Sequence, residues 1–178
     1  TVRARYLSRL CVFMLCVASG RSVAQATQPP PYWAYAVNPE QVAAGDDKAP
    51  ETGPLHIAGS EMSFTRAEVS DLFHPPDWHP AGHPTMPEVV VRGRMPNVYA
   101  CGYCHLPDGQ GRPENSSLAG LPAGYIVRQI ADFKRGARKS SEPKLKPVKF
   151  MTAVAIQVTD QDIQAAAKYF AGLRPKPW

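Results

Sequence analysis

Beyond its first 26 residues this 178-residue chain has only two cysteines, Cys101 and Cys104. No disulfide framework can be built from them and no stray thiol is left over, which suits an oxidising compartment. There is no second C-x-x-C, so a four-cysteine zinc site is excluded. No βαβ pattern surrounds the pair, which argues against a thioredoxin-like redox motif. The one strongly apolar run, Leu10 to Gly20, is too short to span a bilayer comfortably. Acidic residues are absent from positions 1–26, where Arg3, Arg5, Arg9 and Arg21 lie. These arginines account for most of the net charge of +5; without them, 16 basic and 15 acidic residues leave +1. So small an excess makes no case for a nucleic-acid binder.

Basic residues, then an apolar run, then Ala24-Gln25-Ala26 make the pattern of a secretory signal cleaved after Ala26. The expected location is the periplasm, with an uncleaved membrane anchor as the weaker alternative. The chain starts at Thr1 rather than Met, and the terminal Trp178 is compatible with a natural chain that continues. Residues 27–87 hold 11 of the 19 prolines. Proline fixes φ and removes a donor, so this segment is expected to be mostly extended or turning chain. Its aromatics (Tyr32, Trp33, Tyr35, Phe64, Phe73 and Trp78) call for burial, so it is expected to wrap the following domain. Leu55 to Ala58 reads as a short strand. Thr65-Arg66-Ala67-Glu68 has the T-x-x-E capping-box form, which places a short helix over Arg66 to Phe73. His74, His79, His83 and Met86 lie among the prolines. Each could bind metal, but the reading favoured here is a rigid surface loop with solvated or turn-capping imidazoles.

The chemistry concentrates at Cys101-Gly102-Tyr103-Cys104-His105. This is C-x-x-C-H, the attachment pattern for haem c. Each thiol can add to a haem vinyl group, and the adjoining imidazole can ligate the iron. Val89 to Gly93 reads as helical; Pro96 then gives a kinked or two-piece helix leading to Cys101. Asp108-Gly109-Gln110-Gly111 is turn chemistry. Tyr125, Ile126, Gln129, Ile130 and Phe133 share one helical face, closed by Gly136. Thr159 caps a last helix with acids in its first turn. Its buried stripe is Ile163, Ala166, Ala167, Phe170 and Leu173, and it ends at Gly172. Between these helices, residues 128–149 carry eight cations against Asp132 and Glu142. The region is either a solvated loop face or a docking patch for acidic redox partners.

Taken together, residues 88–172 resemble class I c-type cytochromes of the small bacterial kind. The resemblance rests on CGYCH, on LAGLPAGYIVRQIADFKRGAR and on MTAVAIQVTDQDIQAAAKYFA. It implies an all-α cytochrome c fold over 88–173, preceded by a signal peptide (1–26) and a Pro-rich, mostly irregular extension (27–87). Residues 174–178 form a short tail. One covalent haem c is implied, held by Cys101 and Cys104, with His105 as proximal and Met151 as distal iron ligand. Similar proteins usually carry a proline two residues before Leu-Ala-Gly, whose carbonyl orients the proximal imidazole; Ser116 stands there in this chain. The implied role is one-electron transfer between redox proteins, with no small-molecule substrate and no catalytic residues. Two other readings stay open. The chain could be the electron-entry subunit of a periplasmic dehydrogenase or oxidase. If Met151 does not ligate, it could be a haem enzyme or gas sensor.

Overall fold

The computed structural model describes residues 53–140 and 146–176, and these are helical with no β-strand. The signal-like segment, the start of the Pro-rich extension, Glu142, Lys144 and Trp178 lie outside the described residues. Six α-helices follow in order. These are α1 (Arg66–Val69), α2 (Glu88–Val91), α3 (Cys101–His105), α4 (Ala123–Lys134), α5 (Lys146–Gln157) and α6 (Asp160–Ala171). Helix α4 packs on α5 and α6, and α2 packs on α3 and α6. Among the described residues no helix is long and apolar enough to cross a membrane.

The core forms where the apolar stripes of the helices meet. Val89 and Val90 of α2 share one buried cluster with Ile163, Ala166, Ala167 and Phe170 of α6 and Ile126 of α4. Helix α6 starts where Thr159 accepts the Asp162 N–H on its side chain, and it stops at Gly172. Helix α4 ends before Gly136, whose φ of 70° is the left-handed turn glycine favours.

Three local expectations need correction. The approach to Cys101 is not a second piece of helix. Arg94 and Val98 exchange backbone hydrogen bonds of 2.7 and 2.9 Å, closing a tight loop over Met95-Pro96-Asn97. The Met95–Pro96 peptide is cis. Gly93 permits the turn: its φ is 66°, and a Cβ there would lie 2.1 Å from the Val98 carbonyl oxygen. Helix α1 ends at Val69 rather than at Phe73. The Asp71 carboxylate accepts the N–H groups of Phe73 and His74, at 2.8 and 3.2 Å, and offers the backbone an alternative to helix. Leu55 to Ala58 is not a strand but a single bridge, Leu55 to Phe64.

The later part of the extension lies against the helical domain. Ala100 N–H donates to the Leu72 carbonyl at 2.9 Å, and Phe73 meets Tyr99 edge-on. Pro76 is buried, and the His83 ring meets Tyr169 of α6.

The capping box on α1 yields an acid-side prediction. Glu68 N–H donates to the Thr65 hydroxyl and Thr65 N–H donates to the Glu68 carboxylate. The Thr65 N–H and the Thr65 hydroxyl, both of which donate to it, hold the Glu68 carboxyl below its ordinary value. A lowered carboxylate stabilises the fold above its unfolded pKa, and the contribution is lost as pH falls through the lowered value. Protection of the Thr65 and Glu68 amides against hydrogen exchange, relative to their intrinsic rates, should fall across that acid window, and Glu68→Gln should abolish that change in protection.

Candidate functional site

An apolar cavity of ≈ 280 Å³ lies between α3 and the packed helices α4, α5 and α6. Helix α3 supplies Cys101, Cys104 and His105 to its wall. Ile126, Ile130 and Phe133 come from α4, Met151 and Val154 from α5, and Asp162, Ile163, Ala166 and Phe170 from α6. All four residues singled out from sequence therefore face one space. Burial pushes Cys101 up to about 12, with the charges of Cys104 and Asp162 adding to the effect. Burial also raises Cys104, while Arg112 opposes it.

The His105 imidazole is held by the backbone. Its Nδ1–H donates to the Ser116 carbonyl at 2.8 Å. A carbonyl can only accept, so Nδ1 carries the proton and Nε2 keeps its lone pair. Burial lowers the His105 pKa, against the opposing effect of that hydrogen bond, and favours the neutral ring a metal ligand requires. Serine can stand where similar proteins carry proline because the contact is to the main chain. The carbonyl is brought into place by the turn after α3. Gly109 N–H donates to the Leu106 carbonyl and Gly111 N–H to the His105 carbonyl. Leu106 takes a φ of 62° there, a conformation costing a non-glycine residue about 1–3 kcal/mol.

Gly111 is the tightest point of this turn. Its φ is 79°, and a Cβ would lie 2.6 Å from the Asn115 carbonyl oxygen and 2.8 Å from that of Ser116. Gly111→Ala should cost about 1 kcal/mol or more through φ alone and should displace the carbonyl that fixes His105. Thermal melting and the proton resonance of the His105 Nδ1–H would report the two effects separately. An unmoved resonance would show that the carbonyl tolerates the methyl group.

The histidines of the Pro-rich loop do not reach the cavity. His74 Nδ1 pairs with Asp71 at 2.9 Å. His83 places Nε2 3.1 Å from the Asp77 carboxylate and Nδ1 2.9 Å from the Pro84 carbonyl. The backbone N–H of His79 donates to Asp77. Among the described residues no cluster of His, Cys, Asp or Glu could hold a metal ion. Met86 packs against the core instead. In the basic region, Arg128, Lys134, Arg135, Arg138, Lys139, Lys146 and Lys149 are exposed. Arg135 pairs with Asp132, while Arg138 and Lys139 stand at the cavity.

Asp162 is the wall residue that reading the sequence missed. It appears there only as an acid in the first turn of α6. A signal was present, since Asp162, Ala166 and Phe170 recur at intervals of four on the buried face.

The donor set and the walls fit one kind of prosthetic group. Two thiols and a neutral imidazole on one short helix border an apolar space that a flat macrocycle can enter. This defines a covalent haem-binding domain. Residues 96–174 match the family model for cytochrome c. Cytochrome c4 of Azotobacter vinelandii is 33% identical over 133 residues, covering 67% of this chain and 60% of that protein. The thiosulfate dehydrogenase electron acceptor of Stutzerimonas stutzeri (strain A1501) is 35% identical over 77 residues, covering 42% of this chain and 32% of that protein. The crystal structure of reduced recombinant cytochrome c4 from Pseudomonas stutzeri aligns at 30% identity with a TM-score of 0.40, covering 46% of this chain and 43% of that one. Residues 96–174 are a class I c-type cytochrome domain, whose cofactor is covalently bound haem c. The chain spans from about a third to 60% of the length of these curated relatives.

Proposed function

We propose that this protein is an exported one-electron carrier. It would hold one haem c through thioethers to Cys101 and Cys104, with His105 and Met151 as axial ligands. The observation that carries this reading is that the imidazole and the thioether face the same apolar cavity as the two thiols. Bound haem supplies the ferric–ferrous couple. The chain's own part is to present His105 Nε2, to supply a neutral sulfur that favours the ferrous state, and to exclude water. Held by His105 and Met151, the iron would need no substrate to reach it, and transfer would be outer-sphere to docked partners. The signal-like residues 1–26 support export to the periplasm with cleavage after Ala26.

Partner docking is assigned to the exposed cations of α4, α5 and the segment between them. Phe150 and Ile156 of α5 are also exposed, at 47% and 53%. Exposed positive charge favours acidic redox proteins and steers their approach. Electron exchange with an acidic partner should therefore slow several-fold as salt rises from about 10 mM to above 100 mM, where the Debye length falls from about 30 to 10 Å. A flat salt profile in stopped-flow mixing would remove this patch from the docking surface.

Service to one particular dehydrogenase is a second reading. It is favoured by the likeness to a protein named as an electron acceptor of thiosulfate dehydrogenase. One experiment addresses the main proposal. The holoprotein should show haem that survives denaturing electrophoresis, low-spin spectra in both oxidation states and no carbon monoxide binding when ferrous. Ready carbon monoxide binding, or a high-spin ferric spectrum, would end the carrier reading and point to chemistry at the iron.

A further inference from the structure

Asp162 is the one acidic group of α6 that faces the haem cavity. Its side chain is only 9% exposed. Both carboxylate oxygens are engaged on the protein side. Oδ1 accepts from Arg94 Nη2 at 2.8 Å, and Oδ2 accepts from the Thr159 hydroxyl at 2.9 Å. Thr159 opens the same helix, so the carboxylate is anchored from both ends. Arg94 belongs to the Gly93–Val98 turn that leads into Cys101, and its side chain is 47% exposed. The pair is thus oriented, with its negative end in the cavity wall and its positive end in water.

We propose that the Asp162–Arg94 pair sets the reduction potential of the haem, with Asp162 as the potential-lowering residue; this rests on the carrier reading above. A charge in the wall acts through a medium less polarisable than water, whereas the half-exposed Arg94 guanidinium is screened only in part, and less than the more exposed Arg92. The two charges therefore cancel only in part at the cavity, and the pair's own contribution there is negative, beside those of Glu114, Arg138 and Lys139, which also line it. Reduction adds one electron to the site with no proton required, so a negative wall disfavours the ferrous state. A staple between the turn and α6 would hold the fold equally well without any such electrical effect. Potential and stability are therefore separate readouts.

The test is redox titration of the holoproteins Asp162→Asn, Arg94→Gln and, as a control, Arg92→Gln. Arg92 is a 64% exposed arginine paired with Glu88 on the surface of the same segment. Low-spin spectra and the failure of ferrous protein to bind carbon monoxide are checked first. If wild type fails that check, the carrier reading falls, independently of the titration. Asp162→Asn should raise the potential and Arg94→Gln should lower it, both by more than Arg92→Gln. The Asp162→Asn shift should persist at high salt, because a buried charge is little screened. Shifts no larger than the control's, or a rise that vanishes in salt, would reduce the pair to a staple. Should Asp162→Asn fail to fold, Arg94→Gln at a half-exposed position carries the test alone, and an unchanged potential there overturns the proposal.

Discussion

Met151→Ala is expected to turn a ferrous protein that ignores carbon monoxide into one that binds it readily. Met151 sits midway along α5, in a helix packed against α4, and lines the cavity that His105 lines. Alanine has no donor to offer there, and the shortened side chain leaves room for a diatomic ligand. Losing a neutral thioether also removes a preference for the ferrous state, so the potential should fall. The weak near-infrared charge-transfer band of a ferric sulfur ligand should vanish with it. Stability should suffer less than ligation does. Met151 is only partly buried, so the loss belongs at the lower end of the range for methionine truncation, about 2 kcal/mol. Met95→Ala is the matched control. That side chain is 73% exposed on the turn before Cys101 and does not line the cavity. Retention of the band in Met151→Ala, with no carbon monoxide binding, would assign the sixth ligand to another residue.

How far such outcomes could be foreseen from sequence differs from element to element. Helices α4 and α6 were legible because their apolar residues recur at helical spacing and their ends carry a glycine or a threonine cap. The motif helix α3 was legible from chemistry alone. What escaped were features set by backbone geometry. The run Val89-Val90-Val91 reads as the first piece of a kinked or two-piece helix, yet Gly93 lets the chain close into a tight turn within a few residues. The carbonyl that orients His105 could not be chosen in advance. Any main-chain oxygen can serve, and the choice depends on how the Gly109–Gly111 turn folds back. Asp162 was legible as a helix-start acid but not as a wall residue. Its partner, Arg94, lies 68 positions away in sequence, and no local pattern links the two. Met151 was placed only by its order relative to the last helix, since a methionine's own surroundings in sequence do not separate a ligand from core filler.

Phe170→Ala is expected to do the opposite of Met151→Ala: to destabilise the fold severely while leaving the ligand spectrum intact. Phe170 is 1% exposed. Its ring meets His105 at 6.2 Å between centroids and Tyr169 at 5.3 Å, both edge-on. It is thus both core and cavity wall, and its removal leaves a void no neighbour can fill. Truncations of this kind cost about 3–5 kcal/mol, a fall in melting temperature on the order of 12–40 °C for a domain of this size. The His105 ring should nevertheless keep its orientation, because the Ser116 carbonyl fixes it independently of the aromatic contact. Tyr169→Phe calibrates the result. It deletes one buried hydrogen bond, the 2.6 Å donation from Tyr169 Oη to the Pro107 carbonyl, and leaves the packing in place. Its cost should be about 1–3 kcal/mol, the penalty of one unsatisfied buried carbonyl. Thermal melts and low-spin spectra of the three variants would then sort along two independent axes, ligation for Met151 and packing for Phe170 and Tyr169. A Phe170→Ala protein that melts like wild type would show that α6 is not the wall that closes the cavity. One that turns high-spin while still folded would show that the ring, rather than the Ser116 carbonyl, aims the imidazole.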